Sequence, residues 1–172
     1  MQGFRFRKTG MMKIVEESLA KLDCPESITV DVKSGLEDDA VWMDHDQMVT
    51  TMTDLEQNAV EAMPDGGKLT ISVEGNERQI TIGLADTGKG IPEENMPLLF
   101  TPFFTTKPVG EGTGLGLPQA YAIVKVHHGE ISITSNADPG KGPTGTTVKI
   151  ILPRRQAFQQ QEARIILHEE ED

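Results

Sequence analysis

The chain has 172 residues, 37% of them hydrophobic, and a formal net charge of −11. That length suits one domain with a real core, and the charge argues against nucleic acid or an anionic membrane as the main partner, because a phosphate backbone needs a basic face. No run approaches the ~18 consecutive apolar residues of a membrane span, Met1–Lys8 lacks the apolar stretch of a signal peptide, and the single Cys24 forms no intrachain disulfide, so a cytoplasmic setting is expected.

Apolar residues at Met11, Met12, Ile14, Val15, Leu19 and Leu22 predict a short amphipathic helix. It is too short to be a domain, so residues 1–26 read as the remnant of an upstream helix or linker. Alternation at Ile28, Val30 and Val32 predicts a strand over Ser27–Lys33, and a brief second strand follows at Val41–Met43. A helix is expected from about Asp46 to Met63, stopped by Pro64-Asp65-Gly66-Gly67. Lys68–Glu74 and Gln79–Ala85 alternate about the turn Gly75-Asn76-Glu77 and predict a hairpin.

Pro92–Phe100 reads as a short helical segment, and Phe104–Gly112, rich in Thr, Gly and Pro, as a mobile stretch. Leu115–His127 is a second long helix, with Pro118 near its start where proline is tolerated. Gly129–Ser135 and Thr146–Leu152 complete the sheet. The order of elements implies an α/β fold with a mixed sheet covered on one face by helices. Residues 27–154 form that unit. Residues 155–172 read as a polar acidic tail, partly helical around Phe158–Leu167.

The acidic balance still permits a small phosphate ligand, which backbone N–H groups and a divalent cation can hold. The helix from Asp46 carries a core stripe of Met52, Leu55, Ala59 and Ala62. A polar stripe of Thr51, Asp54, Asn58 and Glu61 lies about 100° away. Such a stripe alone is ordinarily a solvated face, yet the Asn58 amide oxygen suits Mg²⁺ completed by phosphates.

Asp86-Thr87-Gly88-Lys89-Gly90-Ile91-Pro92 follows a strand, where Asp86 can accept from an exocyclic amine such as adenine N6. Gly88 and Gly90 let the backbone approach a flat ligand. Gly112-Thr113-Gly114-Leu115-Gly116-Leu117 leads into a helix and exposes N–H groups where the helix dipole is positive. It is neither a Walker loop nor a dinucleotide fingerprint. Between them, Phe100 and Phe103 read as core plugs, and Thr105–Glu111 as a lid over a ligand.

Asn58 in an N-box, Asp86–Gly90 as a G1 box, Phe100–Lys107 as an F box and Gly112–Gly116 as a G2 box resemble, in that order, the GHKL ATPase/kinase superfamily. The run from Asn58 to Gly67 and His128-Gly129-Glu130-Ile131 are most similar to sensor histidine kinases of the nitrogen-regulation type. The match covers roughly residues 28–153.

The resemblance implies a Bergerat-type two-layer α/β sandwich holding ATP and Mg²⁺. It implies the metal on Asn58, the adenine read by Asp86, and phosphates wrapped by Gly112, Thr113, Gly114, Leu115 and Gly116. Further nucleotide contacts carried over are Glu61, Ala62, Gly88, Gly90, Ile91, Phe100, Thr105, Thr106, Lys107, Leu117 and Thr146. Asn58, Asp54 and Lys107 take the catalytic roles. The implied partners are a dimerisation and histidine-phosphotransfer domain and, indirectly, a response regulator.

Two positions depart from the pattern. Kinases of this family usually carry Asn where Asp54 stands, and hydrolytic relatives such as gyrase carry Glu, which activates water. Glu61 stands where many kinases have Lys. No histidine fits a phosphoacceptor box. His45 opens a helix, His127 and His128 end one as cap and packing residue, and His168 lies in the acidic tail. The acceptor is therefore expected outside this chain. The rival readings are an ATP-dependent switch without phosphotransfer and an anti-sigma-type serine kinase.

Overall fold

Side chains repeating every second residue build the sheet, and side chains repeating every 3.6 build the layer that covers it. The computed structural model describes residues 3–101 and 116–156. In chain order the elements are β1 (Phe6–Gly10), α1 (Met11–Lys21), β2 (Ile28–Ser34), β3 (Ala40–Asp44), α2 (His45–Glu61), β4 (Gly67–Gly75), β5 (Gln79–Asp86), α3 (Gly116–Val126), β6 (Glu130–Asn136) and β7 (Gly145–Pro153). A 3-10 segment occupies Glu93–Leu98 with Pro97 inside it, where a short helix was expected.

The main sheet has five strands in the order β2-β4-β5-β7-β6. β2 and β4 are parallel and the other pairs antiparallel, so the sheet is mixed. Leu69, Ile71 and Val73 of β4, Ile80, Ile82 and Leu84 of β5, and Ile150 and Leu152 of β7 are all at most 2% exposed. They form one face of the sheet, and the helices pack on it. This is the two-layer arrangement expected from the order of elements.

α2 is the central helix, flanked by α1 and α3. Its start is set by Asp44, whose carboxylate accepts the Gln47 N–H at 3.1 Å, satisfying a donor that the helix leaves open. Met48, Met52, Leu55 and Ala59 are buried against the sheet. The β4–β5 hairpin closes on Asn76, whose side-chain oxygen accepts from the N–H groups of Arg78 and Gln79.

β1 was not foreseen. It pairs antiparallel with β3, from Phe6 opposite Asp44 to Gly10 opposite Ala40. Five residues of weak apolar pattern become a strand because a partner 30 to 38 residues away supplies the hydrogen bonds. α1 is built into the same core: Met11, Ile14 and Val15 are at most 1% exposed. Burying three such side chains contributes roughly 5 kcal/mol, a large part of the about 5–15 kcal/mol that a domain has. The packing therefore begins well before residue 27.

It also runs past residue 154. The Arg154 guanidinium donates to the carbonyls of Asp38, Ala40 and Asn76. Gln156 is 3% exposed and donates to the His127 carbonyl at 3.2 Å. Residues 157–172, including the expected helical stretch, lie outside the described residues.

His127 is 1% exposed. The Asp44 N–H can only donate, so it fixes Nε2 as acceptor at 3.0 Å, and Nδ1 carries the proton to the Ile123 carbonyl at 2.7 Å. Burial lowers its pKa, and the imidazole is a neutral packing group. His45 is the first residue of α2 and pairs with Glu17 of α1 at 2.5 Å.

Glu56 is a carboxylate placed in the core, where charge is costly. It is 0% exposed, and one carboxylate oxygen accepts the Ser18 hydroxyl at 2.6 Å. The other oxygen has no partner among the described residues. Burial raises its pKa from 4.5 to about 7, against the lowering effect of Ser18. The folded state thus keeps a proton that the unfolded chain releases, and stability present below about pH 4.5 is lost as pH rises through about 7. Glu56→Gln keeps the acceptor for Ser18 and removes the charge. At pH 8 it should stabilise the fold by on the order of 2 kcal/mol, a gain that shrinks toward pH 5. Thermal melts across that range check this, and parallel curves for the two proteins would contradict it.

Candidate functional site

Three polar side chains form a row across the end of the sheet. In the ladders Asp86 of β5 stands opposite Thr146 of β7, and Thr146 opposite Ser135 of β6. Directly opposed residues share a face. Asp86 continues the two-residue spacing of Ile80, Ile82 and Leu84, so the row looks toward the helix layer where the apolar core ends. One Asp86 oxygen accepts from the Gly88 N–H at 2.9 Å and the Thr146 N–H at 3.3 Å. Burial raises the Asp86 pKa, and the two N–H bonds act in the opposite direction.

The loop after β5 is wedged between the end of α2 and the β6–β7 connection. The Lys89 N–H donates to the Ala62 carbonyl at 3.0 Å, and the Ile91 N–H to the Ser135 hydroxyl at 2.8 Å. At Gly88 a Cβ would stand 2.4 Å from the Ala62 oxygen. Gly90 has φ +76°, and its Cβ would lie 2.0 Å from the Asn136 carbonyl oxygen. Both glycines are required by close backbone approach, and Gly90 by its dihedral as well.

Asn58 lies one turn before Ala62, whose N–H donates to the Asn58 carbonyl. A Cβ on Gly116 would be 3.9 Å from the Asn58 amide nitrogen, so the start of α3 abuts Asn58. The positive end of the α3 dipole therefore lies beside the Asn58 amide.

The polar stripe of α2 is not a uniformly solvated face. Thr51 is 3% exposed, Asp54 and Asn58 are half-buried, and Glu61 at the helix end is exposed. Asp54 lines a cavity of about 330 Å³ between α2 and α3, together with Gln47, Thr50, Thr51 and Gln119. Burial there raises its pKa.

The structure brings Asn58, Ala62, Asp86, Gly88, Gly90, Ile91, Gly116 and Thr146 to one end of the α2–sheet interface. Phe100 lies against the Tyr121 ring of α3 at 5.1 Å, and Leu117 packs against the core. Thr105, Thr106, Lys107, Gly112, Thr113, Gly114 and Leu115 lie outside the described residues, as does the expected lid. Ser135 was missed as a site residue. The two-residue spacing Ile131, Ile133, Ser135 already put it on the row's face, but no local pattern told of its partners. As a donor set, the Asn58 amide oxygen and Asp54 carboxylate are hard oxygens one helical turn apart. They fit a divalent cation that takes most of its ligands from phosphate and water.

Residues 43–156 match the family described as histidine kinase-, DNA gyrase B- and HSP90-like ATPases. The chain belongs to that family. Its fold is that of histidine-kinase catalytic domains: the mycobacterial sensor histidine kinase MprB aligns with TM-score 0.74 and 26% identity, over 88% of this chain and 99% of that one. The catalytic domain of the histidine kinase ThkA aligns with TM-score 0.75 and 26% identity, also over 88% and 99%. Sporulation kinase A of Bacillus subtilis (strain 168) is 32% identical over 84% of this chain, and this ATPase-family chain spans only 23% of that kinase. No helix among the described residues is long and apolar enough to cross a membrane.

Gly90→Ala should distort this end of the family fold, since the new Cβ meets backbone that cannot step aside. The expected cost is about 2 kcal/mol or more, read as a lowered Tm. An unchanged melting curve would show that the loop has room.

Proposed function

We propose that this chain is the ATP-binding catalytic module of a sensor histidine kinase, transferring the γ-phosphate to a histidine on a separate dimerisation domain. The observation that carries this reading is the convergence of Asp86, Asn58 and the start of α3 on one end of α2. A base-reading acceptor, a hard oxygen donor and a phosphate-seeking helix end are then spaced along one ligand. Support also comes from the resemblance to sporulation kinase A and to the two catalytic domains.

In this reading the second oxygen of Asp86 accepts from the adenine amine. Gly88 and Gly90 let the loop backbone lie against the ring. The α3 N-terminus holds phosphate oxygens, with Thr105, Thr106, Lys107 and Gly112–Leu117 completing the phosphate side. Asn58 would hold Mg²⁺, which would supply charge neutralisation at the phosphates. The protein's own contribution is positioning and fixed dipoles, which suits a transfer with a loose transition state. That also resolves how a chain of net charge −11 takes an anionic ligand.

Asp54 is proposed to order water and the metal's outer ligands, and a buried carboxylate of raised pKa is a stronger base than an exposed one. The acceptor domain and a response regulator downstream are the proposed partners, and the cytoplasm the proposed location.

The deciding experiment mixes this domain with radiolabelled ATP and a histidine-bearing dimerisation segment. Acid-labile, base-stable label on that segment is the expected result. Measured ATP binding without any label would instead favour the switch reading. Asp86→Asn should weaken ATP binding about 10-fold or more while the fold persists, checked by calorimetry and circular dichroism. Asp54→Asn should lower basal ATP hydrolysis with little change in ATP affinity; unchanged hydrolysis would remove Asp54 from the chemistry.

A further inference from the structure

A hydroxyl has one proton and two lone pairs. The Ser135 oxygen lies 2.8 Å from the Ile91 nitrogen, 2.9 Å from the Gly145 carbonyl oxygen and 2.7 Å from the Thr146 hydroxyl oxygen. The Ile91 N–H can only donate, and the Gly145 carbonyl can only accept. Ser135 therefore gives its proton to Gly145 and one lone pair to Ile91. Its remaining lone pair must take the Thr146 hydroxyl proton. All three of its hydrogen-bonding positions are then filled, and Thr146 has only lone pairs left for a ligand.

From this we infer that Ser135 is a positioning residue that sets the Thr146 hydroxyl as an acceptor, so that the site selects a 6-amino purine over a 6-oxo purine. Thr146 stands directly opposite Asp86 in the β5–β7 ladder, and its N–H also holds the Asp86 carboxylate. Two acceptors side by side suit an exocyclic amine and repel a carbonyl oxygen. Were the Thr146 proton free to turn, it would donate to that carbonyl and the discrimination would fall. Ser135 touches no base itself. It acts through Thr146, and through the Ile91 N–H that pins the loop carrying Gly88. The inference rests on the reading that Asp86 marks the adenine position.

The test compares Mg·ATP with Mg·ITP by titration calorimetry, since the two bases differ only in the amine or carbonyl at C6 and the protonation of N1. In the unsubstituted protein ATP binds more tightly. Ser135→Ala should reduce the ATP-to-ITP affinity ratio about tenfold, and Ser135→Thr, which keeps the hydroxyl, should preserve it. Thr146→Val, which keeps the backbone N–H, should reduce the ratio by itself, and adding Ser135→Ala to it should change the ratio no further. Thermal melts establish that each variant is folded; if Ser135→Ala is not, Thr146→Val and Ser135→Thr still decide.

Equal loss of ATP and ITP affinity in Ser135→Ala would reduce Ser135 to a structural clamp and overturn the inference. So would a ratio unmoved in Thr146→Val, or equal binding of both nucleotides by the unsubstituted protein. Binding of neither nucleotide would overturn the nucleotide reading of the whole site, an outcome distinct from all of these.

Discussion

The rotation of α2 about its own axis is the constraint on which the rest depends. Met48, Met52, Leu55 and Ala59 are buried against the sheet, and turning the helix by even one position would expose several of them at about 1.5–3 kcal/mol each. With that face fixed, helical geometry leaves Thr51, Asp54 and Asn58 no choice of direction. They point along the α3 side, where Gly116 meets Asn58 and the cavity meets Asp54. A polar stripe that looks like ordinary solvated surface is thereby turned into part of a pocket wall.

The second fixed reference is the end of β5. Strand alternation carries the core face outward through Ile80, Ile82 and Leu84, and the next position in phase is Asp86. Its carboxylate emerges where apolar packing stops, already oriented by two backbone N–H groups. Loop and helix are joined through the Ala62 carbonyl, which accepts from Lys89. Asn58 on α2 and Asp86 at the end of β5 therefore belong to one rigid unit. Such preorganisation matters most for chemistry that consists of placing groups rather than exchanging protons.

Burial has costs that the fold accommodates. Glu56, Asp54 and Asp86 all have raised pKa values for the same leading reason, removal from water. Each acts against stability at neutral pH. The two at the candidate site border a cavity or a hydrogen-bonded loop where a ligand offers compensation. Glu56 does not: it sits between α1 and α2 with Ser18 as its partner.

By itself the sequence determined the element types, the mixed sheet under a helix layer, and the order of the boxes. These rest on local information, namely the period of apolar residues, Asp and Gly at turns, and glycines where no side chain fits. Asn58, Asp86, Gly88 and Gly90 were singled out by the ordered boxes and their resemblance to the superfamily, since the polar stripe of α2 alone reads as a solvated face. Only the tertiary structure decided that Phe6–Gly10 is a strand and that α1 belongs to the core, because their partners lie far along the chain. It alone showed Glu56 buried and Thr51 enclosed, since exposure depends on what packs against a helix. Ser135 is the clearest case: its spacing gave its face, but only the meeting of β6, β7 and the loop after β5 gave it three partners. Hydrogen-bond saturation of one hydroxyl is a property of that meeting, and no stretch of chain contains it.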